Sequence, residues 1–144
     1  MCQWFNSTFG HKNIFIFFMN NNSIKLLVSL KNASLGRKER LILPCLKMYP
    51  EILTILYREG FIQSFFVDNL EKTITVKLRY SFNKSIFSKL EIISKPSRIK
   101  YLDSKSISRL SSKRFVSFFS TTKGLKTDLE CKKEKLGGKL LFIC

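Results

Sequence analysis

Between Thr73 and Tyr80 the chain alternates without a break. Ile74, Val76, Leu78 and Tyr80 are apolar or aromatic, while Thr73, Thr75, Lys77 and Arg79 are polar or basic. Strict period two over this stretch makes a strand with one buried face, and it excludes a helix, whose apolar positions recur every three or four residues. The buried face needs an apolar cover, and the preceding segments supply it. Ile24, Leu27 and Val28 share one face of a helix predicted over 23–33 and capped by Ser23. The charged turn Gly36–Arg40 leads to a short strand, Leu41–Leu43, which Pro44 ends. A second helix starts at Pro50, a residue suited to a first helical turn, buries Ile52, Leu53, Ile55 and Leu56, and stops at Gly60. Phe61–Val67 and the Asp68-Asn69 turn complete an α-β-α-β-β order over residues 23–80.

The second half repeats no part of the first. A linker is expected at 81–88, then a strand at Leu90–Ile93 that Pro96 breaks, a helical turn or two over Asp103–Leu110, and an apolar strand at Phe115–Ser120. Thr127-Asp128-Leu129-Glu130 has the form of a capping box, in which a threonine and a glutamate satisfy each other's free amides at a helix start. That helix ends by Leu136, Gly137-Gly138 turns the chain, and Leu140–Ile143 closes it. The fold class is α+β, with two small domains: 23–80, and a mostly β domain with short helices over 89–144. Residues 1–22 form an N-terminal extension. Its apolar run Ile14–Met19 is far shorter than the roughly 20 residues that cross a bilayer. It lacks a basic n-region and a small-residue cleavage site, and one lysine in the first 20 residues is a poor transit peptide. No membrane partner is expected.

Charge narrows the partner. The 144 residues hold 26 Lys and Arg against 10 Asp and Glu, a net +16. The excess is uneven: +1 over 1–22, twelve bases against six acids over 23–94, and thirteen against four over 95–144. The bases are interleaved with apolar and aromatic residues, which describes a folded basic surface and not a solvated tail. A structured polyanion, RNA or DNA, is the natural counterpart.

Chemistry-bearing clusters are scarce. Cys2, Cys45, Cys131 and Cys144 form no C-x-x-C pair, and His11 is the lone histidine, so a zinc site is not expected and the four cysteines read as free thiols. Glu130 and Glu134 share a helix face with lysines around them, which is the pattern of intrahelical ion pairing. No nucleophile–base pair or phosphate loop is present, so an enzyme is not expected, nor a cofactor or a small-molecule substrate. Abundant Phe (14), Ile, Lys and Asn, with few Gly (6) and Pro (3), match A+T-rich codons and point to an organelle genome.

The densest stretch is Ser120-Thr121-Thr122-Lys123-Gly124-Leu125-Lys126-Thr127-Asp128. Hydroxyls donate and accept, and so read 2′-hydroxyls, base edges and phosphates alike. Gly124 allows close backbone approach, and the helix start beyond it offers amides to an anion. Tyr101, Phe118 and Phe119 are candidates for base stacking, with Phe118 weighted toward the core.

Ser120-Thr121-Thr122-Lys123-Gly124, Thr127-Asp128 and Leu136-Gly137-Gly138 together resemble the C-terminal signature of the bacterial-type small-subunit ribosomal protein eight family. The resemblance extends to Ser94-Lys95-Pro96 with Tyr101, to Glu59-Gly60-Phe61-Ile62 and to Lys31-Asn32-Ala33, covering about 22–144. It implies a two-domain protein that binds the central domain of small-subunit rRNA beside neighbouring ribosomal proteins and supports subunit assembly. By carry-over, Ser120, Thr121, Thr122, Lys123 and Gly124 are the leading rRNA contacts, followed by Lys95, Tyr101, Lys139, Lys31 and Asn32. Several positions depart from the family pattern: Leu46 for a helix-start serine, Pro50 within the aligned first turn, Ser97 and Lys135 for glycines, and Lys139 for a glutamate. With the composition and the extension, these departures imply a mitochondrial ribosome, with a plastid second. The rival reading is a free basic RNA-binding regulator outside the ribosome.

Overall fold

The computed structural model describes residues 21–82, 84–110 and 114–144. The extension lies outside them except for Asn21 and Asn22, and with it the readings on Cys2, His11 and Ile14–Met19. The described residues divide into two compact units: Leu26–Ser88, and residues 21–25 with Lys89–Cys144.

The order begins with α1 (Asn21–Leu35), which belongs to the first unit from Leu26 on, and continues there with β1 (Arg40–Pro44), α2 (Tyr49–Arg58), β2 (Ile62–Asp68) and β3 (Thr73–Leu78). The predicted α-β-α-β-β order and the α+β class are therefore what the chain adopts. The alternating segment is the central strand of a three-stranded antiparallel sheet, β1-β3-β2, with Ile74, Val76 and Leu78 all buried. The α2 stripe is buried as predicted, together with Tyr49, and Tyr57 meets Phe65 of β2 edge-on at 6.4 Å. Helix α1 differs from expectation. It already runs at Asn21, so Ser23 is an interior, buried residue and not a cap. Its buried face is Leu26, Leu27, Leu30 and Ala33, while Val28 points outward. Across the expected linker, β4 (Tyr80–Ser81) pairs with β5 (Lys84–Ser85), and a 3₁₀ turn, Ile86–Lys89, follows. Within that turn Phe87 is fully buried, 6.2 Å from the Phe61 ring.

The second unit is built around its last strand. β10 (Gly138–Ile143) pairs on one side with β6 (Glu91–Ile92) and β7 (Lys100–Leu102), and on the other with β8 (Ser117–Thr121), which in turn pairs with β9 (Gly124–Thr127). Helices α3 (Ser104–Leu110) and α4 (Asp128–Glu134) lie over one face, where Ile107, Phe119, Cys131 and Leu140 form a closed apolar cluster. Phe118 and Phe142 are fully buried and stack at 4.5 Å. Both Phe118 and Phe119 are therefore core residues, which removes them as base-stacking candidates.

Cys131 and Cys144 are free and buried, and burial pushes their thiols up to about 11 and about 12. Cys45 is disulfide-bonded, which corrects the expectation of free thiols at that position. Among the described residues no helix is long and apolar enough to cross a membrane, and no group of His, Cys, Asp and Glu could hold a metal.

Candidate nucleic-acid interface

Residues directly opposite one another on paired strands share a face of the sheet. Lys139 pairs with Tyr101 on one side and Ser120 on the other, and Ser120 pairs with Leu125. The row Tyr101–Lys139–Ser120–Leu125 thus crosses four strands. It lies opposite the row Lys100–Leu140–Phe119–Lys126, whose Leu140 and Phe119 pack under the helices. The first row consequently faces away from α3 and α4. Tyr101 is 62% exposed and Lys139 half-buried. Lys139 stands on an interior strand, so it is not there to discourage pairing at a sheet edge.

At one end of that row sits the β8–β9 hairpin. Thr121 pairs with Gly124, which leaves Thr122 and Lys123 as an exposed two-residue tip. Thr121 itself is buried and works within the turn. Its hydroxyl accepts from the Lys123 amide at 3.2 Å and donates to the Gly124 carbonyl at 2.9 Å. Gly124 has φ +102°, which an L side chain rarely adopts, and a Cβ there would meet nothing within 4 Å. Its glycine serves the turn's backbone and not the close approach that the sequence suggests. Close approach occurs at Gly138 instead, where a Cβ would lie 2.6 Å from the Ser120 carbonyl oxygen and 3.0 Å from Thr121 Cγ2. At Gly137 it would lie 3.1 Å from the Leu102 carbonyl oxygen and 3.3 Å from the Tyr101 hydroxyl. Gly138 already lies in β10 and neither glycine has a positive φ, so the pair supplies close approach and not a left-handed turn. It lets β10 enter between β7 and β8, and so sets both Tyr101 and the hydroxyl segment. The turn before it is made by Lys135, at φ 53° and ψ 38°.

Lys95 rides on a second tight turn. Lys95 and Arg98 exchange backbone hydrogen bonds of 3.1 and 3.0 Å around Pro96-Ser97. The buried Ser94 hydroxyl donates to the Leu140 carbonyl and accepts from the Lys100 amide at 3.3 Å, which pins this turn to β10. The sequence reading missed Arg98, exposed on this turn beside Lys95; a basic residue three positions after it was the available signal.

The start of α4 is closed to an anion, contrary to expectation. The capping box forms, with the Thr127 amide donating to Glu130 Oε2 at 3.2 Å, and the Leu129 amide donates to Asp128 Oδ1 at 2.9 Å. Thr127 and Asp128 are both buried, so the chain's own carboxylates occupy that end. Glu134 corrects the intrahelical pairing. It accepts from Lys126 and, at 3.1 Å, from Lys123, tying the end of α4 to the hairpin. These hydrogen bonds hold its carboxyl below the usual carboxylate range, Lys126 most and Lys123 next. Ser120 is buried, and its hydroxyl has no hydrogen-bond partner.

The second unit thus gathers Ser120, Thr121, Thr122, Lys123, Gly124, Tyr101 and Lys139 around one end of one sheet, with Lys95 on the turn leading into β7. Lys31, half-buried, and Asn32, exposed, lie on α1 in the first unit, apart from this group in the chain's own division.

A family model described as Ribosomal protein S8 matches residues 23–144. The chain belongs to the ribosomal protein S8 family. Among relatives of this family, "Small ribosomal subunit protein uS8" of Anaeromyxobacter sp. (strain K) is 34% identical over 119 residues, 81% of this chain and 90% of that protein. The Phytoplasma mali (strain AT) protein of the same name is 32% identical over 124 residues, 85% and 95% of the two chains. "Small ribosomal subunit protein uS8c" of Tetradesmus obliquus is 33% identical over 131 residues, 85% and 96%.

Proposed function

We propose that the chain is a structural, non-catalytic constituent of the small ribosomal subunit that binds the central domain of small-subunit rRNA and supports subunit assembly. The observation that carries this reading is the Tyr101–Lys139–Ser120 row ending in the Thr122-Lys123 tip, in a unit of strong positive charge. An exposed tyrosine stacks on an unpaired base, lysines meet phosphates, and the threonine hydroxyl reads a 2′-hydroxyl or base edge. Thr122, Lys123, Tyr101, Lys139 and Lys95 make the direct contacts. Gly124 and Thr121 hold the tip in shape. Ser120, buried beside Lys139 with its hydroxyl shielded from solvent, supports the row from within and makes no direct contact. Lys31 and Asn32 add a contact from the first unit. The names of the relatives and the match over 23–144 support the ribosomal role.

The compartment we infer is the mitochondrion, with the plastid second, on the Phe-, Ile-, Lys- and Asn-rich composition. Sedimentation with mass spectrometry of purified mitochondrial and plastid ribosomes tests the reading. Recovery in the small subunit is expected; recovery only in the ribosome-free fraction would favour the free regulator.

A further inference from the structure

The first unit has an open sheet face that the proposed rRNA contacts do not use. On β3, Ile74, Val76 and Leu78 face inward, so Thr73, Thr75 and Lys77 face out. Ile42 of β1 and Phe66 of β2 both pair directly with Thr75, which places Ile42–Thr75–Phe66 in one outward row. Ile42 is 68% exposed and Phe66 59%. The next row sets Arg40 and Lys77 directly opposite each other, with Ser64 beyond. Like charges so paired repel, and a bound anionic group relieves them. The Lys77 ammonium also lies 5.9 Å from the Phe66 ring centroid. Glu39 reaches Arg40 only at 3.9 Å and in solvent, a contact worth little. Asp68 ends the face, and its carboxylate accepts from the Leu70 amide at 2.9 Å and the Glu71 amide at 3.3 Å.

We infer that this face docks an acidic amphipathic segment of another protein of the ribosomal subunit, its apolar residues on Ile42 and Phe66 and its carboxylates on Arg40 and Lys77. The inference rests on the ribosomal reading and names the chemistry of one neighbour. Three other occupants fit less well. RNA would satisfy the two cations and stack on Phe66, but it leaves the aliphatic Ile42 wet. The chain's own residues 1–22 are apolar but contain no Asp or Glu. A second copy brings another +16 to a surface that is already basic.

The test replaces Phe66 by the photoreactive p-benzoylphenylalanine in the full chain, assembles it into small subunits in the source cell, and sequences the cross-linked product. The expected product is one protein segment carrying apolar residues with Asp or Glu at matching spacing. The same experiment in the Arg40→Glu, Lys77→Glu background should lower its yield about tenfold, with unchanged thermal unfolding of the free chain, since all three side chains lie on the outer face. Cross-linking to rRNA, to residues 1–22 or to a second copy would overturn the inference, as would a yield unaffected by the charge reversal or no product at all. Sedimentation of the same sample separates the two levels of failure. A chain that travels with the small subunit but cross-links elsewhere refutes only this inference, whereas a chain absent from the subunit refutes the ribosomal reading as well.

Discussion

Three adjacent hydroxyls look equivalent in the sequence, yet in the fold each has its own surroundings. Thr122 is at the exposed tip, Thr121 is built into the turn through the Lys123 amide and the Gly124 carbonyl, and Ser120 is buried beside Lys139. Their substitutions should therefore separate. Thr122→Val should leave the unfolding midpoint unchanged and weaken rRNA binding by about 1–3 kcal/mol, the cost of leaving a desolvated partner unsatisfied. Thr121→Val should lower stability by about 1 kcal/mol, because the Lys123 amide loses its acceptor. Parallel melting and filter-binding measurements check both; equal effects on both quantities from both variants would mean that the tip carries no direct contact. Lys135 gives a cleaner stability test. It occupies the left-handed conformation that closes α4, a position glycine adopts without a Cβ clash. Lys135→Gly should raise stability by about 0.5–1 kcal/mol, read from the denaturant midpoint.

At the scale of elements, the hairpin and α4 are joined by Glu134. Its pKa is depressed below the ordinary value of 4.5 by hydrogen bonds from Lys126 and then Lys123. A group depressed in the folded state contributes stability above its unfolded pKa and loses it as pH falls through the folded value. Faster amide exchange at the hairpin is expected as pH drops below about 4.5, after correction for intrinsic rates, and Glu134→Gln should abolish that dependence. The same elements mark where sequence reading succeeds. The alternation of Thr73–Leu78, the α2 stripe and the Thr127–Glu130 capping box are local patterns, and each forms where the residues place it. β7 and β9 were not legible, since Lys100-Tyr101-Leu102 and Gly124–Thr127 become strands only by pairing with β10 and β8. For the same reason the motif names the candidate residues, but register alone decides that Ser120 and Tyr101 flank Lys139. The two glycines read as a turn because their real constraint, the approach of Ser120 and Tyr101, comes from residues distant in sequence.

On the proposed function, the net +16 of the whole molecule serves one structured RNA, read chiefly by the second unit, which holds thirteen basic residues against four acidic ones over 95–144. Charge alone would bind any polyanion. On that proposed function, specificity comes from Tyr101, Lys139 and the Thr122-Lys123 tip, fixed in place by the strands around Gly137 and Gly138. Lys139 deserves the sharpest variant, because it stands mid-row, where it meets Tyr101 and Ser120, and its charge suits a phosphate. The decisive measurement is the equilibrium affinity of the chain for the central domain of its small-subunit rRNA, titrated against salt, beside duplex DNA of equal length and with Lys139→Glu in parallel. Affinity for the rRNA should fall by orders of magnitude between about 50 and 200 mM salt while staying well above that for DNA, and Lys139→Glu should weaken binding with a shallower salt slope. Equal affinity for rRNA and DNA, or a Lys139→Glu chain that binds as the natural one does, would rule out specific rRNA recognition through this face.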